Sequence, residues 1–266
     1  MDATDLETVD LTLRGGAAWI ELNRPDALNA WNTQLGDDLH AAVHRVADDE
    51  EVRAVVITGA GRAFSSGADL KQGFDPTPGG HPDVHSRLTQ VYHPIITTIR
   101  RMPKPVVAAV NGPAVGIGCS LALACDLVVA AESSYLLLAF VNIGLVPDGG
   151  SSLFIPARAG FTRAAEMALL GEKVPAARAY EWNLVNRVIP DAGFQAEVEA
   201  LATRLAEGPT RSYAGTKRQL NRWVFGGMDD QLALEADIQQ EMAASGDFAE
   251  GVMAFVEKRG ARFTGS

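Results

Sequence analysis

Cysteine is almost missing from these 266 residues: the two present, Cys119 and Cys125, both lie in one apolar stretch. Without a CxxC pair they supply neither a disulfide framework nor a zinc knuckle, and they read as small core residues. Basic charge is also short, with 23 Lys and Arg against 33 Asp and Glu, a net charge of −10. A broad nucleic-acid footprint needs the opposite sign, although a local basic pocket for one phosphorylated ligand stays compatible. Neither the 26 glycines nor the 13 prolines reach the level of a fibrous or disordered chain. What is present is an ordinary globular composition, 47% hydrophobic. A chain of this length buries roughly 70–75% of its unfolded surface, so one large domain, or a domain with an appended subdomain, needs no staples.

The opening MDATDLETVD is acidic and has neither the apolar core of a signal peptide nor an Arg-rich transit pattern. A cytoplasmic protein is expected. Pro105 to Ala131 is long and apolar enough to suggest a membrane span. It contains Asn111, Ser120 and Asp126 and is broken by Gly112, Pro113, Gly116 and Gly118. A buried strand–loop–helix–strand fits better.

Val9–Leu13 and Ala18–Leu22 read as a hairpin through Arg14-Gly15-Gly16. After Asn32, the residues Leu35, Leu39, Val43 and Val46 form one helical stripe. Ala54–Thr58 reads as a buried strand, and 72–83, with three prolines and three glycines, as a loop. A helix over 85–101, a strand over Val106–Val110, a helix near 117–124 and strands over Leu127–Ala130 and 135–138 follow. From about 191 the pattern becomes purely helical, with Leu234, Ile238 and Met242 on one face of a helix over 229–244 and Asp229 its candidate N-cap. An α/β core with a helical tail results, and the tail's apolar faces must pack on the core or on a neighbouring subunit.

Several familiar sites are missing. Gly116-Ile117-Gly118 starts a dinucleotide fingerprint that Leu121 fails to complete, and neither a P-loop nor a GxSxG elbow occurs. His40/His44 and His81/His85 have i, i+4 spacing, but Ala41 stands where HExxH needs its glutamate. Three segments carry more. Ala63–Lys71 (AFSSGADLK), Asn111–Cys119 (NGPAVGIGC) and Gly144–Gly150 (GLVPDGG) each run from a strand through small residues to a helix start. Such turns leave backbone N–H groups free to hold an anion or oxyanion, and the third also carries a carboxylate, Asp148.

These segments, together with Asn23–Ala30 (NRPDALNA), the continuation NGPAVGIGCSLALACD and the closing EGV…FVEKR…FTG, resemble the enoyl-CoA hydratase/isomerase (crotonase) superfamily over essentially the whole chain. The resemblance implies an α/β fold: a spiral of ββα repeats over 1–190, then a helical trimerisation region over 191–266, forming a trimer or dimer of trimers. It implies an acyl-CoA thioester as partner, with no membrane, no nucleic acid, no metal and no cofactor beyond the substrate's own coenzyme A. Backbone N–H groups of Ala68 and Ile117 would form the oxyanion hole, with Gly116 and Gly118 keeping the turn open. Arg24, Ala27, Leu28, Ser66, Gly67, Asp69, Leu70, Lys71, Gly116, Phe140 and Lys258 would contact substrate or coenzyme A.

The chain departs from the family's hydratases, which use two glutamates: Ser120 and Phe140 stand at those positions. Asp148 matches the single acid/base of several isomerases. The run Ala139–Asp148 looks most like the phenylacetate-pathway isomerase, which converts a ring-epoxide thioester to its oxepin. An enoyl-CoA isomerase is therefore expected, with a hydratase (lyase) or a non-catalytic acyl-CoA-binding homologue as alternatives. Opposing effects act on the acidity of Asp148: a helix N-terminus would lower its pKa, while apolar neighbours such as Phe140 and Val146 would raise it.

Overall fold

The computed structural model describes residues 6–266, so the first five residues of the acidic opening lie outside it. Val9–Arg14 (β1) and Ala17–Leu22 (β2) form the expected antiparallel hairpin, Val9 opposite Leu22 and Arg14 opposite Ala17. The later strands are Ala54–Gly59 (β3), Val106–Val110 (β4), Ala114–Val115 (β5), Leu127–Ala131 (β6), Tyr135–Leu137 (β7), Val174–Pro175 (β8) and Arg187–Ile189 (β9). A six-stranded sheet runs β1-β2-β3-β4-β6-β9, parallel from β2 onward, and a three-stranded sheet runs β5-β7-β8. Isolated bridges extend the small sheet, joining Trp31 to Ala68 and Ser65 to Ala114. The spiral is visible in that pairing. Successive turns of chain lend one strand to the large sheet and one extended segment to the small one.

Helices complete each turn. Helix α1 (Thr33–Asp48) begins at Asn32, whose side chain accepts the Leu35 N–H at 2.9 Å. Its stripe of Leu35, Leu39, Val43 and Val46 is wholly buried. The expected helix over 85–101 is α2 (Val84–Arg87) and α3 (His93–Arg101), joined by a π-helical turn over Leu88–Tyr92. There the His93 N–H reaches back to Leu88 O. Pro94 has no N–H to continue an α ladder, and the wide turn accommodates it. Helix α4 (Ile117–Ala124) is buried on every side, which its unbroken run of apolar and small residues permits. Helices α5 (Ser151–Ala159), α6 (Phe161–Leu170) and α7 (Ala176–Glu181) precede β9.

Alternation along β2 sends Ala18, Ile20 and Leu22 to one apolar cluster and Ala17 and Trp19 to another, on opposite faces of the sheet. The tail comprises α8 (Phe194–Glu207), α9 (Thr210–Val224), α10 (Met228–Ala243) and α11 (Gly246–Glu257). Helix α8 covers the second face with Phe194, Val198, Leu201 and Leu205. Helix α9 is pinned by Lys217, whose ammonium meets Asp126 at 2.8 Å and the Ile99 carbonyl at 2.6 Å. Arg100 meets the same carboxylate at 3.0 Å, so Asp126 holds structure rather than a ligand.

Helix α10 corrects two expectations. Its N-cap is Gly227, and Asp229, inside the first turn, pairs with Arg101 at 2.6 Å. Leu234 is 49% exposed, while Leu232, Glu235, Ala236, Gln239 and Ala243 face inward. The inward face is rotated from the expected stripe: Leu232, Ala236 and Ala243 share it with Glu235 and Gln239, which have buried partners there, and Ile238 and Met242 are half-buried at its edge. Among the described residues, no helix is long and apolar enough to cross a membrane. Residues 105–131 form β4, β5, α4 and β6.

Candidate active site

The first two motif segments carry small-sheet pairings, Trp31 with Ala68 and Ser65 with Ala114, and the third follows β7 through a short 3-10 turn over Val141–Ile143. Ala68 pairs with Trp31 so that Trp31 N–H reaches Gly67 O at 2.8 Å and Asp69 N–H reaches Trp31 O at 3.0 Å. This register turns the Ala68 N–H away from Trp31, and among the described residues it meets no backbone acceptor. Ile117 is the first residue of α4, so its N–H has no partner within the helix. Gly116 precedes it with φ +52, a conformation that lets the strand turn directly into a helix. A Cβ on Gly67 would sit 3.0 Å from Val115 O, so the Ala68 and Ile117 segments are in backbone contact.

The Asp148 loop seats against the same turn. Gly149, at φ +61, comes so close to α4 that a Cβ there would lie 2.5 Å from Ile117 Cδ1 and 3.0 Å from Ser120 Cβ. Ser120 Oγ donates to Asp148 O at 2.8 Å, as does Ser151 Oγ at 2.8 Å. Phe140 is buried, and its ring tip lies near Gly116. Asp148 itself is 5% exposed. Its Oδ2 accepts Gln239 Nε2 at 2.8 Å, and its Oδ1 is buried with no partner.

The contest over Asp148 acidity is decided upward. Burial, with the nearby Glu235 carboxylate adding to it, raises the pKa to about 8, against a smaller lowering by Gln239. The helix N-terminus does not offset this, because Glu235 takes its donors. Glu235 accepts Gly150 N–H at 2.7 Å and Ser152 N–H at 3.1 Å. Burial likewise raises the pKa of Glu235.

Other expected positions divide into two groups. Ser66 N–H bonds Leu28 O at 2.9 Å and Ser66 Oγ bonds Ala27 O at 3.3 Å, which joins the 24–30 loop to the first motif. Arg24 meets Asp69 at 3.1 Å and also donates to Ala30 O, so its guanidinium is already engaged within the loop. Leu70 is half-buried. Lys71 is exposed just after this turn and Lys258 is exposed at the left-handed end of α11, and neither is drawn into the Asp148 cluster. His40 and His44 meet edge to face with centroids 4.4 Å apart, and among the described residues no three His, Cys, Asp or Glu side chains gather as a metal would need.

Four contributors escape a reading of the sequence. Asn29 is wholly buried with φ 54, and its side chain bonds Ala60 O, Ala63 O and the Arg24 N–H. Tyr92, edge-on to Trp31 at 5.0 Å, joins Trp31, Ala68, Phe74 and Arg87 around a cavity of about 250 Å³. Burial pushes its hydroxyl up to about 12, and the Asp148 charge adds to the rise. Glu235 and Gln239 come from the tail. Their one sequence signal is polarity at i, i+4 in line with Leu232 and Ala236.

The sequence pattern of the enoyl-CoA hydratase/isomerase family matches residues 12–266. The chain belongs to that family. An Escherichia coli 1,2-epoxyphenylacetyl-CoA isomerase is 39% identical across 94% of this chain and 95% of its own length. A Rhodobacter capsulatus protein described as a probable enoyl-CoA hydratase is 42% identical across 97% and 98%. The crystal structure of an enoyl-CoA hydratase from Mycobacterium avium subsp. paratuberculosis superposes with a TM-score of 0.88 at 40% identity, covering 97% of this chain and 98% of that one. This member of the family is therefore an acyl-CoA enzyme, and its relatives carry both hydratase and isomerase names.

Proposed function

We propose that this chain is an enoyl-CoA isomerase in which Asp148 is the one acid/base. The supporting observation is a buried carboxyl with one unpartnered oxygen, close to Ser120 and Phe140, which supply no carboxylate at the positions that the family resemblance matches to the hydratase glutamates. The thioester carbonyl accepts the Ala68 and Ile117 N–H groups, which stabilise enolate charge. Each such donor is typically worth about 10²–10³ in rate. Asp148 removes a C2 proton, the electron pair delocalises onto the thioester oxygen as a dienolate, and the same carboxyl returns the proton at C4. The double bond moves from C3 to C2, and no atom is gained or lost. A carboxyl with a raised pKa is a stronger base when ionised, as removal of a weakly acidic C–H requires.

Arg24, Ala27, Leu28, Ser66, Gly67, Asp69, Leu70, Lys71 and Lys258 are the proposed contacts for coenzyme A, and no further cofactor takes part. The E. coli relative supports a ring-epoxide arylacetyl thioester as one substrate, isomerised through the same enolate. Exposed Phe161, Leu169 and Trp223, at 83%, 72% and 88%, support self-assembly as a trimer or dimer of trimers.

The test is product analysis with 3-enoyl-CoA and 1,2-epoxyphenylacetyl-CoA, with and without EDTA. Isomerised product that disappears in Asp148→Asn, with thioester affinity kept, is expected. A hydroxyacyl-CoA product would identify a hydratase instead, and binding without turnover of either thioester would identify a non-catalytic homologue. A monomeric mass by light scattering at micromolar concentration would overturn the assembly.

A further inference from the structure

Asp148 belongs to a loop of the spiral, yet its carboxyl is gripped from the tail helix α10. Gln239 is wholly buried, and its Oε1 accepts the Val146 N–H at 3.0 Å. That backbone donor fixes which end of the amide is oxygen, so the amide nitrogen must point at Asp148 Oδ2. One turn earlier, Glu235 is 3% exposed and closes the first turn of α5 through Gly150 and Ser152. We infer that Glu235 and Gln239 are positioning residues that leave Asp148 Oδ1 as the single oxygen carrying the proton. The inference rests on the reading of Asp148 as the acid/base and adds the tail helix to the catalytic apparatus.

The geometry separates two tasks. An oxygen that accepts an amide N–H is disfavoured as a protonation site, because protonation would sacrifice that bond. Oδ2 is therefore the anchor and Oδ1, buried and unpartnered, the working oxygen. Glu235 acts at a distance: it occupies the helix N-terminal donors that would otherwise stabilise the Asp148 anion, and it adds a like charge nearby. Among the described residues no charged group other than Glu235 acts on Asp148. The Ser120 hydroxyl from α4 and the Ser151 hydroxyl from α5 bond its main-chain oxygen, and the buried Tyr92 hydroxyl of the π turn, pushed up to about 12, stays neutral.

The experiment is the pH profile of kcat/KM for 3-enoyl-CoA isomerisation in wild type, Glu235→Gln, Gln239→Met and Asp148→Asn. Glu235→Gln removes the like charge, so the rising limb should move to lower pH, by about one unit. Gln239→Met removes the donor that favours the anion, so the limb should move to higher pH. With the anchor gone, kcat should also fall about tenfold, the worth of about 1.4 kcal/mol, with KM little changed. General loosening of the fold does not produce opposite shifts from positions one turn apart. Coincident profiles, or shifts of the same sign, would overturn the inference while leaving Asp148 in place. Full activity in Asp148→Asn would instead overturn the assignment of Asp148 itself. Should the α10 variants not fold, the ¹³C carboxyl signal of wild-type Asp148, identified by its loss in Asp148→Asn, decides the matter. Its titration should be coupled to that of Glu235, in two steps rather than one, and a single-step titration would refute the inference.

Discussion

Ser120 Oγ donates a 2.8 Å hydrogen bond to the main-chain oxygen of Asp148, across 28 residues of sequence. Helix α4 thus supports the loop that bears Asp148. Ser120→Ala removes one buried hydrogen bond, at a cost of about 1 kcal/mol to the loop's placement. Isomerisation should fall several-fold with thioester affinity kept. An unchanged kcat would show that the loop is held by Ser151 and α10 alone.

Asp148→Asn should stabilise the fold while removing activity. The pKa of Asp148 is raised from 3.8 to about 8, so between these values the native state binds the extra proton and stability falls as pH rises. Removing the ionisable group relieves that loss, so the gain in Tm should be small near pH 4 and largest at pH 8. Each kcal/mol is worth about 2–4 °C for a chain of this size. Calorimetry at pH 5 and pH 8 checks the sign, and an Asn variant less stable than wild type at pH 8 would contradict it.

Asn29 closes the 24–30 loop by accepting the Arg24 N–H and ties it to Ala60 O and Ala63 O ahead of the first motif, from a left-handed backbone that asparagine tolerates. Asn29→Ala should cost about 1–3 kcal/mol in urea unfolding and weaken acyl-CoA binding together with turnover. A stable variant with normal binding would show that the loop is held by Ser65 and Ser66 alone.

Asp126 sits between Arg100 and Lys217, at 3.0 and 2.8 Å. Asp126→Ala leaves two buried cations unpaired and should destabilise by about 3–5 kcal/mol, while activity per folded molecule stays near wild type. Lost activity in a fully folded variant would make Asp126 part of the site after all.

Periodicity alone is enough for the hairpin, α1, the strands β3, β4 and β6 and the helical tail, because each is a local pattern set by which residues seek the core; the short β5, β8 and β9 carry too few residues to show one. The two glycine-rich turns and Asp148 were also legible, since a strand–turn–helix junction has its own local signature. The order in which the extended segments stack, Trp31 on Ala68 and Ser65 on Ala114, was not, because those pairings join residues far apart in sequence. Tertiary structure alone decided the acidity of Asp148. The sequence placed it before a helix N-terminus, which would lower its pKa, but the folded chain gives those donors to Glu235 and buries the aspartate beside it. For the same reason the inward face of α10 is rotated from the expected stripe. Apolar periodicity places Leu234 inward, and only the fold shows that Glu235 and Gln239, beside Leu232 and Ala236, have buried donors and acceptors to meet.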